Sequence, residues 1–243
     1  MRLHIYESTT QMSLAAAEWI TSYIAQQLKK TDRFTLVLSG GSTPKQLYAI
    51  LATDDFRDRI DWLRVHIFFG DERFVSFDDD RNNGKMALDY LLKLVPVPPE
   101  QIHYISTKVG EQQSAKEYEQ ILREYFPTTP PSFDLALLGM GDDGHTLSLF
   151  PHSPVIHEED KWVSPAKAPV EPVDRITLTA SIVNMSRCVL FLVAGEGKSR
   201  PLREVLEGEF NPDLYPSQII SRNHNNVQLF ADRDATSLLT KHN

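Results

Sequence analysis

Leu36-Val37-Leu38-Ser39-Gly40-Gly41-Ser42-Thr43-Pro44 reads as a strand that turns directly into a helix. Its apolar residues run on without alternation, which suits a strand buried on both faces. Two glycines and two hydroxyls follow. Thr43 then reads as a helix N-cap and Pro44 as the first helical residue, ahead of Leu47, Tyr48 and Leu51. Repeated, such a βα unit implies a mainly parallel sheet covered by helices.

The unit does repeat. Short apolar runs at Leu3–Tyr6, Val65–Phe69, Leu135–Leu138, Ile176–Leu178, Val189–Val193 and Val227–Phe230 join Thr35–Leu38 as predicted strands. Between them, residues 13–30, 44–52, 83–95, 114–126 and 199–207 carry helical spacing, and Ser114-Ala115-Lys116-Glu117 reads as a capping box. The Pro-rich stretches at 95–100, 127–131 and 165–173 are too short to join domains, so residues 1–243 are expected to form one α/β domain.

Composition narrows the function. The longest apolar run, Cys188 to Gly195, is far short of the ~18 residues of a membrane span. The first residues turn charged too early for a secretory signal, and the one cysteine, Cys188, cannot form an internal disulfide; both point to the cytoplasm. A net charge of −8 without a Lys/Arg cluster speaks against nucleic acid or an anionic membrane as partner. An anionic ligand would need local positive charge.

Three stretches are rich in chemistry. Ser39–Thr43 places glycines and a helix N-terminus at a strand end, which suits an anion, although a well-capped βα turn accounts for it equally well. Gly70-Asp71-Glu72-Arg73 puts three charges after a strand, where open parallel sheets bind ligands; a solvated loop with a local ion pair is the plainer reading. Gly139-Met140-Gly141-Asp142-Asp143-Gly144-His145 contains a formal G-x-G-x-x-G. A pyrophosphate there would face Asp142 and Asp143, and Pro151 cuts short the helix that should follow, so a dinucleotide site is rejected. The loop better suits acid–base chemistry, with a carboxylate setting the tautomer of His145. A histidine that merely caps a glycine turn is the competing account.

Other motifs fail on spacing. Gly195-Glu196-Gly197-Lys198-Ser199 ends like a phosphate-binding loop, but Leu192 stands where the first glycine belongs. There is no G-x-S-x-G, and His145, His152 and His157 are not at metal-ligand spacing, so no metal is expected. Four strand ends nevertheless bring an anion loop, Arg73, His145 and Lys198 to one rim.

With these residues laid out, the chain resembles the 6-phosphogluconolactonase family over nearly its whole length. The resemblance rests on residues 38–44, 70–75, 138–151, 175–179 and 195–198, above all on Gly141-Asp142-Asp143-Gly144-His145-Thr146-Leu147-Ser148-Leu149-Phe150-Pro151. It departs where many relatives have Ser/Asp-x-Ser-Asn and this chain reads Asp80-Arg81-Asn82-Asn83-Gly84. The resemblance implies a three-layer α/β sandwich with a Rossmann-like sheet, no cofactor, and hydrolysis of 6-phospho-D-glucono-1,5-lactone in the oxidative pentose phosphate pathway. On that footing His145 is the expected general base and then acid, oriented by Asp143 or by Asp71. Ser39, Gly40, Gly41, Ser42 and Thr43 would cradle the 6-phosphate with Arg73 and Lys198, and glycine-loop N–H groups would hold the oxyanion. Isomerases, amino-sugar phosphate deaminases and non-catalytic sugar-phosphate sensors of related build are the rivals. The only expected partner is a sugar-phosphate lactone, with the chain a monomer or weak homo-oligomer.

Overall fold

The computed structural model describes residues 1–128 and 130–240. In chain order its strands are β1 (Arg2–Tyr6), β2 (Phe34–Leu38), β3 (Val65–Phe69), β4 (Asp71–Arg73), β5 (Leu135–Gly139), β6 (Val163–Lys167), β7 (Asp174–Leu178), β8 (Val189–Val193) and β9 (Val227–Asp232). Six of them form one sheet in the order β1-β9-β8-β5-β2-β3, and every pairing in it is parallel. Helices flank it. All five residues of β2 and of β8 are buried, as continuous apolar runs in the middle of a covered parallel sheet should be.

The remaining strands pair antiparallel as β4-β7-β6 in a second, smaller sheet. The apolar run Ile176–Leu178 therefore lies outside the parallel sheet, within β7. Its partner β4 is Asp71-Glu72-Arg73, three charged residues that no strand pattern would select. Gly70 joins the two sheets: its N–H donates to Leu38 O at 2.9 Å and its carbonyl accepts from Leu178 N at 2.8 Å.

Three predicted helix starts shift, the first from residue 13 back to Thr9. The helix over Ser42–Leu51 is capped by Gly41 in the left-handed region (φ 107°), so Thr43 and Pro44 sit inside its first turn. The helix Glu111–Tyr125 begins after Gly110 (φ 88°), a turn ahead of Ser114-Ala115-Lys116-Glu117, and the capping box does not form. Ser114 is instead fully buried, its hydroxyl without a partner among the described residues. The helix Ser199–Glu207 falls where its spacing put it. No helix among the described residues is long and apolar enough to cross a membrane.

Candidate active site

The carboxyl ends of β2, β5 and β8 open into a cavity of about 310 Å³, closed on its far side by β4 and β7. Such a crevice beyond the strand ends is where open α/β sheets bind ligands.

The β2 loop forms one wall. Tyr48, fully buried, accepts from Ser39 N at 2.8 Å and donates to Ser39 O at 2.7 Å, which locks the first residue of the loop. Gly41 brings no capping side chain to the helix that follows. The N–H groups of Ser42 and Thr43 are therefore left for a ligand, and both residues line the cavity.

The β5 loop forms the opposite wall. The backbone N–H of His145 donates to Asp143 Oδ1 at 3.0 Å, and its ring Nδ1 lies 2.5 Å from the same oxygen. An ionised carboxylate only accepts, so Nδ1 carries the hydrogen and Nε2 keeps its lone pair. Among the described residues none hydrogen-bonds Nε2, and the ring lines the cavity. Burial raises the carboxyl pKa of Asp143, but the hydrogen bond and charge of His145 outweigh it and hold it below its ordinary value. Phe150 packs on the imidazole with ring centroids 4.5 Å apart. Gly141 is required by this packing: a Cβ there would stand 2.1 Å from His145 Nδ1. Two residues further on, Leu147 takes φ 55°, a strained conformation for a branched side chain, in the stretch that carries the histidine.

Of the two carboxylates expected to orient the ring, Asp143 makes the contact. Asp71 is buried and spent elsewhere, accepting from Ser148 Oγ at 2.7 Å and from Asn83 Nδ2 at 3.3 Å. The glycine amides of the β5 loop are spent as well. Gly141 N donates to His145 O at 2.8 Å and Gly144 N to Gly141 O at 3.0 Å, so neither is open to an oxyanion.

Positive charge comes from three side chains. Arg73, at the end of β4 and so outside the parallel sheet, lines the cavity and donates to Arg81 O at 2.8 Å. Lys198 reaches the cavity from the turn after β8, but its Nζ pairs with Asp142 Oδ1 at 2.5 Å. Arg175, on β7, was not singled out from the sequence as a site residue, although its motif was. It is buried, lines the cavity and donates to the carbonyls of Pro172 and Asp174. Burial and then the neighbouring Arg73 lower its pKa, outweighing the opposite pull of Asp71, Glu72 and Asp174. Asn83 also reaches the cavity. No group of three or more potential metal ligands occurs among the described residues.

The profile described as Glucosamine-6-phosphate isomerases/6-phosphogluconolactonase matches residues 7–229. A 6-phosphogluconolactonase from Synechocystis is 39% identical over 205 residues, covering 83% of each chain. One from Mycobacterium leprae is 37% identical over 216 residues, covering 85% of this chain and 86% of its own. The solved 6-phosphogluconolactonase of Leishmania guyanensis superposes with a TM-score of 0.87 at 31% identity, covering 99% of both chains. A glucosamine-6-phosphate deaminase shares the fold at 20% identity, with a TM-score of 0.84 over 98% of this chain and 100% of its own.

Proposed function

This chain belongs to the glucosamine-6-phosphate isomerase/6-phosphogluconolactonase family, and we propose that it hydrolyses 6-phospho-D-glucono-1,5-lactone to 6-phospho-D-gluconate. The observation that carries the reading is one cavity with an open histidine Nε2 on one wall and an anion loop with two arginines on the others.

A δ-lactone is an activated ester, so modest assistance suffices. His145 Nε2 takes a proton from water as its oxygen attacks C1, and Asp143 stabilises the imidazolium that forms. The carbonyl electrons move to oxygen, where the positive charge of the cavity stabilises them. As the tetrahedral adduct collapses, the C1–ring oxygen bond breaks and the imidazolium returns its proton to that oxygen. The new carboxylic acid then ionises. Gly40, Gly41, Ser42, Thr43, Arg73, Arg175 and Lys198 hold the 6-phosphate, with Asp142 giving up Lys198 to it.

The test follows acid release from fresh phosphogluconolactone and from unphosphorylated gluconolactone, beside ammonia release from glucosamine 6-phosphate. Charge-assisted contacts are worth roughly 10- to 150-fold apiece, so the phosphorylated lactone should be much the better substrate in kcat/KM. Arg73→Ala or Lys198→Ala should narrow the gap between the lactones. Equal losses on both would move these residues to the reacting end, and ammonia release would make the chain a deaminase.

A further inference from the structure

We propose that Glu72, which the catalytic cycle does not touch, is the positioning residue that sets the phosphate-facing side of the cavity. This rests on the lactonase reading above for its substrate, but its geometry stands apart from it. Glu72 is buried, with only 2% of its surface exposed, and no cation pairs with it among the described residues. Its carboxylate is filled by backbone donors. Oε1 accepts from Arg73 N at 2.8 Å and from Asn83 N at 2.7 Å, and Oε2 accepts from Gly84 N at 2.8 Å. One side chain thereby ties the start of the segment 73–84 to its end.

Both tied ends carry cavity residues. Arg73 is one, and its guanidinium grips the same segment again through Arg81 O. Asn83 is the other: its Nδ2 donates to Asp71 O at 2.9 Å, and its amide lies so close to Gly40 that a Cβ there would stand 2.1 Å from Oδ1. The carboxylate thus fixes, through one short path, the arginine on one side of the phosphate and the loop on the other. Carboxylate bonds to backbone N–H groups are charge-assisted, and three on one buried group hold a loop that water alone would not. A glutamine has one acceptor oxygen and cannot hold all three donors, while an aspartate keeps the charge but is a methylene too short to span them.

The test is calorimetric binding of inorganic phosphate, with kinetics on the two lactones, for the whole chain and for Glu72→Gln, Glu72→Asp and Asn82→Ala. Asn82 Oδ1 caps Lys85 N at 2.8 Å, so its loss weakens the same helix start and leaves the clasp whole. Both Glu72 variants should weaken phosphate binding, and raise KM for the phosphorylated lactone, by roughly tenfold or more. Turnover of unphosphorylated gluconolactone should stay within about twofold, and Asn82→Ala should bind phosphate as the unaltered chain does. Unchanged phosphate affinity in a folded Glu72 variant overturns the proposal. So does equal loss on both lactones, or full affinity in Glu72→Asp, which would make Glu72 a mere counter-charge to the arginines. If the unaltered chain opens neither lactone, the lactonase reading fails, and phosphate binding still decides the clasp.

Discussion

Two histidine sites in this molecule have opposite designs. His145 has a carboxylate on Nδ1, a cavity beyond the other nitrogen and a phenyl ring against its face. His66 and His103, at the edge strand β3, share one phenol: Tyr125 Oη lies 3.0 Å from His66 Nδ1 and 2.8 Å from His103 Nε2. A hydroxyl donates only one hydrogen, so at most one of the two rings can accept from it and the other donates to it. Burial, with His66 adding to it, pushes His103 down to about 4, and burial with Arg33 lowers His66. Phe68 stacks on His103 at 4.7 Å. Both sites hydrogen-bond their rings through a side-chain oxygen. Only the first has a carboxylate behind the ring and open space before it.

The sharpest way to break that contrast is to delete each ring. His145→Ala should lower kcat on phosphogluconolactone by about 10²–10⁴-fold after subtraction of spontaneous opening, whereas His103→Phe should leave it within about twofold. A His145 variant that keeps more than half the turnover would erase the distinction. Removing only the carboxylate is milder. Asp143→Asn leaves the ring without its charged acceptor, and kcat should fall roughly 10- to 150-fold with KM little changed.

Acid should separate the two sites by stability. His103 has a folded pKa of about 4 against an ordinary 6.5, so between those values the unfolded chain binds the extra proton. Its contribution is present above pH 6.5 and is lost as pH falls towards 4. The melting temperature of the unaltered chain should therefore drop more steeply across that window than that of His103→Phe. Chelation should do least: dialysis against EDTA should leave both activity and melting temperature unchanged, because neither histidine site includes a metal-ligand set.

The parallel sheet was legible because its central strands are continuous apolar runs with helices between them. The second sheet was not. Ile176–Leu178 looks like any buried strand, and only tertiary pairing with Asp71–Arg73 reveals that it runs antiparallel outside the main sheet. Ser114 had the spacing of a capping box, but the left-handed Gly110 started the helix first, a choice no side-chain pattern encodes. His145 and Asp143 were readable because they lie two residues apart on one loop. Arg175 and Asn83 come to the cavity from distant segments, so their role emerges only when β4 meets β7 and Glu72 closes the segment between Arg73 and Asn83.

The pairing of β1 with β9 has a consequence for biosynthesis. His4, in register with Phe230, reaches two residues along β9 to hydrogen-bond the side chain of Gln228, 224 residues away in the chain, at 3.0 Å. As the polypeptide leaves the ribosome, β1 is made early and waits, since its one strand partner is the last to be translated. Until Val227–Asp232 emerge, β8 offers its wholly apolar edge, Val189–Val193, to any other unpaired strand nearby. Completion of β9 covers that edge and captures β1 in one step, so nascent chains are most exposed to mispairing just before synthesis of this segment ends.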